Sequence, residues 1–212
     1  MSNCSLLKIL SLITMNYLAH AYLSFGIPEI LTGNMISDFV KGKKKLDYAE
    51  GVQKGIRLHR NIDEFTDFHP VTQKAKSFFK KQYRLYAGAF VDIVFDHFLA
   101  LDKNEFSSEK NLDVFCQDTY VTLQANYSFL PEKFQQMLPY MQIQNWLYNY
   151  RLKEGIERSF GGLARRAVYL SESKIAYGIF CDEYDALQVC YNDFFSQLKN
   201  FTTHQLQKLI TS

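Results

Sequence analysis

Residues Tyr86 to Leu101 read Tyr-Ala-Gly-Ala-Phe-Val-Asp-Ile-Val-Phe-Asp-His-Phe-Leu-Ala-Leu, a run that is apolar nearly all the way round a helical wheel. A helix on the surface of a protein keeps a polar face, and one without such a face has to be enclosed by other elements on every side. The rest of the chain must supply that enclosure. Only 10 Gly and 4 Pro occur in 212 residues, which leaves little punctuation for an all-β fold and no Pro-, Gly- or Ser-rich linker. The expected fold class is therefore all-α, a compact helical bundle with one domain.

Apart from the Tyr86 hydroxyl, the ionisable groups of the enclosed run are Asp92, Asp96 and His97. Asp92 and Asp96 are four residues apart, so their carboxylates share a helix face and repel one another at close range. A cation between or beside them relieves the conflict. A second stripe with the same character lies in a helix expected from about Tyr48 to Phe65, where Val52, Ile56, His59 and Asp63 are spaced by four, three and four residues. His59 and Asp63 thus continue a core-facing row, and a buried carboxylate without a partner costs several kcal/mol or takes up a proton.

The remaining punctuation divides the chain into further helices. Tyr17, Leu18, Ala21 and Tyr22 mark a first helix that Gly26 and Pro28 end, and a second runs from about Pro28 to Val40 with Gly42 as its stop. Gly33 inside the second costs it on the order of 1 kcal/mol relative to Ala. Pro70 begins a long helix expected to reach Leu101 with a bend near Gly88. Segments near 111–126, 131–158 and 161–178 also read as helices, with Gly161 and Gly162 separating the last two, and 182–198 reads as a final helix behind an Asp182 cap.

Four elements then carry His or Asp on a core-facing or apolar-flanked position: His20, Asp38, His59 with Asp63, and Asp92 with Asp96 and His97. Singly, each reads more simply as a satisfied core residue or a helix cap. Together, their mixed nitrogen and oxygen donors suit one divalent ion such as Mn²⁺, Mg²⁺ or Fe²⁺, and zinc fits less well with a carboxylate excess and no Cys in the set. The competing reading is a binding module in which the same groups form a structural hydrogen-bonded network.

Composition closes off other classes. The 24 basic and 22 acidic residues leave +2, too little to argue for nucleic acid. Charge is concentrated only at Lys41, Lys43, Lys44 and Lys45, either a solvated loop or a docking patch for an acidic partner. Cys4, Cys116, Cys181 and Cys190 form neither a Cys-x-x-Cys pair nor a disulfide framework, which suits a reducing cytoplasm. The apolar stretch Ser5 to Ile13 is shorter than the roughly 20 residues of a membrane span. It lacks the charged start of a secretory signal, so residues 1–14 read as an N-terminal extension before a domain of residues 15–212.

Several runs bear a family resemblance. Met-Asn-Tyr-Leu-Ala-His (15–20), Gly-Asn-Met-Ile-Ser-Asp-Phe-Val-Lys-Gly (33–42), Gly-Ile-Arg-Leu-His-Arg-Asn-Ile-Asp (55–63), Thr-Asp (66–67) and Asp-Ile-Val-Phe-Asp-His-Phe-Leu (92–99) closely resemble the acyl-carrier-protein phosphodiesterase family. The resemblance implies a cytoplasmic all-α enzyme, distantly like the HD-type phosphohydrolases and dependent on Mn²⁺ or a similar ion. Its implied reaction removes the 4'-phosphopantetheine arm from holo acyl carrier protein to leave the apo protein. Carried over residue by residue, it implies catalytic roles for Asp38, His59 and His97 and a metal-ligand set drawn from His20, Asp38, His59, Asp63, Asp92 and Asp96. Tyr22 departs from relatives that have a histidine there, so no indispensable ligand is implied at that position. An acidic carrier protein as substrate gives Lys41, Lys43, Lys44 and Lys45 a docking role, with Arg57 and Arg60 placed to hold a phosphate near the metal. An HD-like phosphohydrolase acting on a nucleotide or another small phosphodiester is the alternative.

Overall fold

The computed structural model describes residues 17–167, 170 and 172–211, and the expected extension at residues 1–14 lies outside them. The described residues are helical throughout, with no strand among them, as the sparse Gly and Pro content requires. The α-helices are α1 (Tyr17–Tyr22), α2 (Pro28–Ile36), α3 (Glu50–Phe68), α4 (Pro70–Tyr83), α5 (Ala87–Leu101) and α6 (Glu109–Ala125), then α7 (Glu132–Ile143), α8 (Trp146–Asn149), α9 (Lys153–Arg166), α10 (Lys174–Asp182) and α11 (Tyr184–Thr211). None is long and apolar enough to cross a membrane.

The enclosed helix is α5. It packs against α1, α4, α9 and α11, and of its fifteen residues only Gly88, Asp92 and Leu101 are not buried. Phe90 illustrates the enclosure, since its ring stacks on Phe79 of α4 with centroids 5.6 Å apart and meets Phe160 of α9 edge-on at 4.9 Å. Such offset and edge-to-face pairs add directional preference to the area that the rings bury.

The tightest helix pair is α2 with α3, and two glycines make it so. A Cβ at Gly33 would come within 2.0 Å of the Val52 carbonyl oxygen, and one at Gly55 within 2.3 Å of the Ile30 carbonyl oxygen. The two backbones touch directly. Gly33, read from the sequence as a cost to its helix, is thus what lets the neighbouring helix approach.

Several expected boundaries are corrected. The single helix from Pro70 to Leu101 is two, broken at a 3-10 turn Arg84–Tyr86 where Arg84 takes φ 44°, while Gly88 sits inside α5. Gly161 and Gly162 do not separate helices but lie within α9. The 131–158 segment breaks into α7, α8 and the start of α9, with the left-handed Asn145 (φ 43°) at the first break. Asp182 ends α10 instead of capping α11, which runs on to Thr211. At Gly88, Gly161 and Gly162 a residue type that permits a break does not force one, since packing on both sides holds the helix together. The breaks at Arg84 and Asn145 instead fall at residues of positive φ, which helical periodicity does not mark.

The α2–α3 contact predicts opposite outcomes at two helical glycines. Gly55→Ala should destabilise the protein by about 3 kcal/mol, as overpacking against backbone cannot relax. Gly178→Ala, where a Cβ meets nothing within 4 Å, should stabilise by about 0.5–1 kcal/mol. Urea unfolding of the two variants measures both.

Candidate metal centre

Three turns of chain converge beside the α2–α3 crossing. His20 lies on α1, His59 and Asp63 lie one helical turn apart on α3, and Asp38 lies in the 3-10 turn Ser37–Phe39 that extends α2. The imidazoles of His20 and His59 are almost wholly buried and stack with centroids 3.9 Å apart and planes 16° from parallel. Asp63 reaches both rings, its oxygens lying 3.3 Å from His20 Nε2 and 3.1 Å from His59 Nε2. An Asp38 oxygen lies 3.4 Å from His59 Nε2.

These contacts are close but poorly aligned, so Nε2 of both histidines is buried without a hydrogen-bond partner. The other ring nitrogens are well bonded. His20 Nδ1 is 2.7 Å from Asn34 Oδ1, and His59 Nδ1 is 2.7 Å from the Asn34 carbonyl oxygen. Donor atoms of His20, His59 and Asp63 all lie within 4.8 Å of one another. Two ligands about 2.1 Å from a cation and subtending about 90–110° are themselves separated by roughly 3.0–3.4 Å, the spacing found between these nitrogens and oxygens. The residues fit a divalent ion.

The electrostatics agree. Burial alone would lower the His59 pKa, but Asp63 and Asp38 outweigh it and raise it to about 10, so the metal-free ring carries a proton at neutral pH. His20 is lowered, first by burial and then by the charge of His59. Asp63 is pulled below the usual carboxylate range by the two histidines, against the effect of burial. Asp92, half-buried on α5, feels the charges of Lys76, Asp67, Asp63 and Asp38, and burial pushes its carboxyl up to about 8. Acidic groups thus crowd around the pair of rings.

Asp96 and His97, expected with this group, have other partners. The two carboxyl oxygens of Asp96 accept from the backbone N–H of Leu18 and Ala19 at 3.1 and 2.8 Å, holding the first turn of α1. Donors at a helix start need such an acceptor, and a buried one left unsatisfied costs about 1–3 kcal/mol. His97 bonds through Nδ1 to the Tyr150 carbonyl at 2.7 Å and through Nε2 to the Tyr184 hydroxyl at 2.9 Å, which satisfies both ring nitrogens inside the core. Tyr22 turns away as well, bonding Glu105 while Lys199 Nζ lies 3.1 Å from its hydroxyl.

Of the basic residues, Lys43 and Lys44 are exposed and Lys45 is half-buried, in the turn Gly42–Asp47 that follows Asp38 closely in the chain, and Lys41 just precedes that turn. Arg57 and Arg60 are exposed on α3, and Arg60 donates to the Val40 carbonyl at 3.1 Å, tying α3 to the segment that carries Asp38. Asn34 and Gly55 were not among the expected site residues. The available signal was an Asn beside a Gly in the apolar interior of a helix, an unfavourable pair unless something packs against it.

Fold and site together define an all-helical protein in which two buried histidines and two partly exposed aspartates form a centre whose donors fit a divalent cation. The family described as acyl carrier protein phosphodiesterase matches residues 15–198, and the chain belongs to it. A protein of Photorhabdus laumondii named acyl carrier protein phosphodiesterase is 33% identical over 92% of this chain and 94% of its own length. Proteins of the same name from Enterobacter sp. strain 638 and Salmonella paratyphi A are 30% and 29% identical, each over 87% of this chain and 95% of their own. No solved structure matches.

A sign follows for pH. His59 rises from 6.5 to about 10 and Asp92 from 3.8 to about 8 on folding, so the folded metal-free protein binds more protons than the unfolded chain between pH 7 and 10. Its stability should fall as pH rises through that window, and the stabilisation given by Mn²⁺ should grow, because the ion has to displace the His59 proton. Thermal melts from pH 7 to 10 with and without Mn²⁺ test this; a gain from metal that shrinks with pH contradicts it.

Proposed function

We propose that the chain hydrolyses the phosphodiester joining 4'-phosphopantetheine to the serine of holo acyl carrier protein, releasing 4'-phosphopantetheine and the apo protein, with a divalent ion, Mn²⁺ foremost, held by His20, His59, Asp63 and Asp38. The observation that carries this reading is the pair of buried, unpartnered Nε2 atoms facing Asp63 in a chain of this family. Mg²⁺ or Fe²⁺ would suit the same donors.

A phosphodiester repels hydroxide and has a poor alkoxide leaving group. A bound divalent ion supplies acidification of water and offsets charge on the phosphoryl oxygens. The protein's own groups do the rest. His20 and His59, stacked and buried, keep bulk water from the inner side of the centre, while Asp63 is about a third exposed and opens it to solvent. Asp38, 16% exposed at 3.4 Å from His59, can accept a proton from an attacking water at this open edge. Asp92 feels the Asp38 and Asp63 charges and stands as a further candidate ligand.

The substrate reading is supported by charge. Lys41, Lys43, Lys44 and Lys45 follow Asp38 by three to seven residues, so a strongly acidic partner docked on them would lie beside the centre. Arg57 and Arg60 add positive charge on α3. Such docking weakens as salt screens it, over a Debye length of about 10 Å at 0.1 M.

Purified protein incubated with Mn²⁺ and holo acyl carrier protein should convert the carrier to its apo form, read as the loss of the arm by mass spectrometry. Asp38→Ala should lower the rate at least about 100-fold with the fold intact, the loss expected of a positioned proton acceptor. No loss of the arm with metal present contradicts the proposal. Double reversal at Lys43→Glu and Lys44→Glu should raise KM about tenfold or more, with kcat nearly unchanged and less sensitivity to salt. Turnover of small phosphodiesters that is indifferent to salt would instead favour a nucleotide-type substrate.

A further inference from the structure

We infer that Asn34 is a positioning residue for the centre: its side chain holds His20, and its backbone carbonyl holds His59, in the tautomer that turns each Nε2 lone pair toward the cation. This inference rests on the metal-binding reading given above.

The hydrogen bonds leave little choice of assignment. Asn34 is fully buried on α2, and one end of its amide lies 2.9 Å from the His20 carbonyl oxygen and 3.1 Å from Ser24 Oγ. A carbonyl only accepts, so the atom facing it is the amide nitrogen and the other end is Oδ1. The Ser24 hydroxyl donates to the same His20 carbonyl at 2.8 Å, which leaves its oxygen to accept from Asn34. Turning the amide over would therefore set the Asn34 oxygen against two oxygens, neither with a hydrogen to offer it. With Oδ1 fixed as an acceptor, the His20 nitrogen 2.7 Å away must carry the hydrogen.

His59 follows from the same rule. Its Nδ1 is 2.7 Å from the Asn34 carbonyl, again an acceptor only. Asn34 lies in the last turn of α2, where backbone carbonyls have no intrahelical partner and are available to a side chain. Once a cation has displaced its second proton, the His59 imidazole carries one N–H, so donation from Nδ1 leaves the lone pair on Nε2. Both Nε2 atoms are the buried, unpartnered ones. One residue thus orients two rings by two different groups, and only one of these groups can be removed by substitution.

That asymmetry makes the test. Long-range ¹H–¹⁵N spectra of the metal-free protein, with His20 neutral, report which ring nitrogen carries the hydrogen, and calorimetric titration with Mn²⁺ alone reports affinity. Asn34→Ala should release the His20 tautomer, leave the His59 Nδ1–H bond in place and weaken Mn²⁺ binding about 10–100-fold, the usual effect of losing a residue that orients a ligand. Asn34→Asp, whose carboxyl in its protonated form keeps an accepting oxygen toward His20 Nδ1 and donates its O–H to the His20 carbonyl in place of the amide, should restore the tautomer and bring affinity back to within a few-fold. A folded Asn34→Ala protein that keeps either its His20 tautomer or its Mn²⁺ affinity overturns the inference. If Asn34→Ala does not fold, Asn34→Asp decides, and His20 in the Nε2–H form there overturns it. Failure of the unsubstituted protein to bind Mn²⁺ counts against the metal reading instead, and the tautomer spectra still judge the role of Asn34.

Discussion

The backbone contact between α2 and α3 sets the geometry of the centre. Where Gly33 and Gly55 cross, each helix occupies the space that a side chain would take on the other, and His59 comes close enough to bond the Asn34 carbonyl. Any larger residue would force the helices apart by the width of its Cβ, and a 2.7 Å hydrogen bond does not survive such a shift. His20, Asp38 and Asp63 are each referred to this crossing: Asp63 one turn beyond His59, Asp38 just past the end of α2, and His20 through the Asn34 side chain.

The enclosed helix α5 serves the same centre from behind. Asp96 gives both oxygens to the first N–H groups of α1, so the buried helix holds the end of the short one that presents His20. Six residues are too few to form a stable helix alone, and α1 depends on such tertiary anchoring. One turn earlier, Asp92 is half-buried and feels the charges of Lys76, Asp67, Asp63 and Asp38. Two carboxyls on one helix face, a conflict in the sequence, meet different surroundings: Asp96 accepts from backbone N–H groups in the core, and Asp92 is only half-buried.

Much of this was legible before any coordinates. The all-round apolar run at 86–101 gave the enclosed helix, and the Val52, Ile56, His59 and Asp63 stripe identified the face that carries the paired histidine and aspartate. What periodicity could not separate was a ligand from an anchor. Asp96 and His97 sit in the same apolar run as Asp92, and only the positions of Leu18, Ala19, Tyr150 and Tyr184, distant in sequence, give them their partners. Asn34 and Gly55 were invisible for the converse reason, since their effect is exerted on another helix. The break at Arg84 in place of Gly88 likewise reflects packing that no local signal encodes.

The central claim is that His20, His59, Asp63 and Asp38 share one divalent ion, and diffraction tests it most directly. Crystals grown with Mn²⁺ and measured on both sides of the manganese absorption edge should give an anomalous peak about 2.0–2.3 Å from Nε2 of His20 and of His59 and from an Asp63 oxygen. A peak at another place, or none at saturating Mn²⁺ with both rings still stacked, would contradict the account.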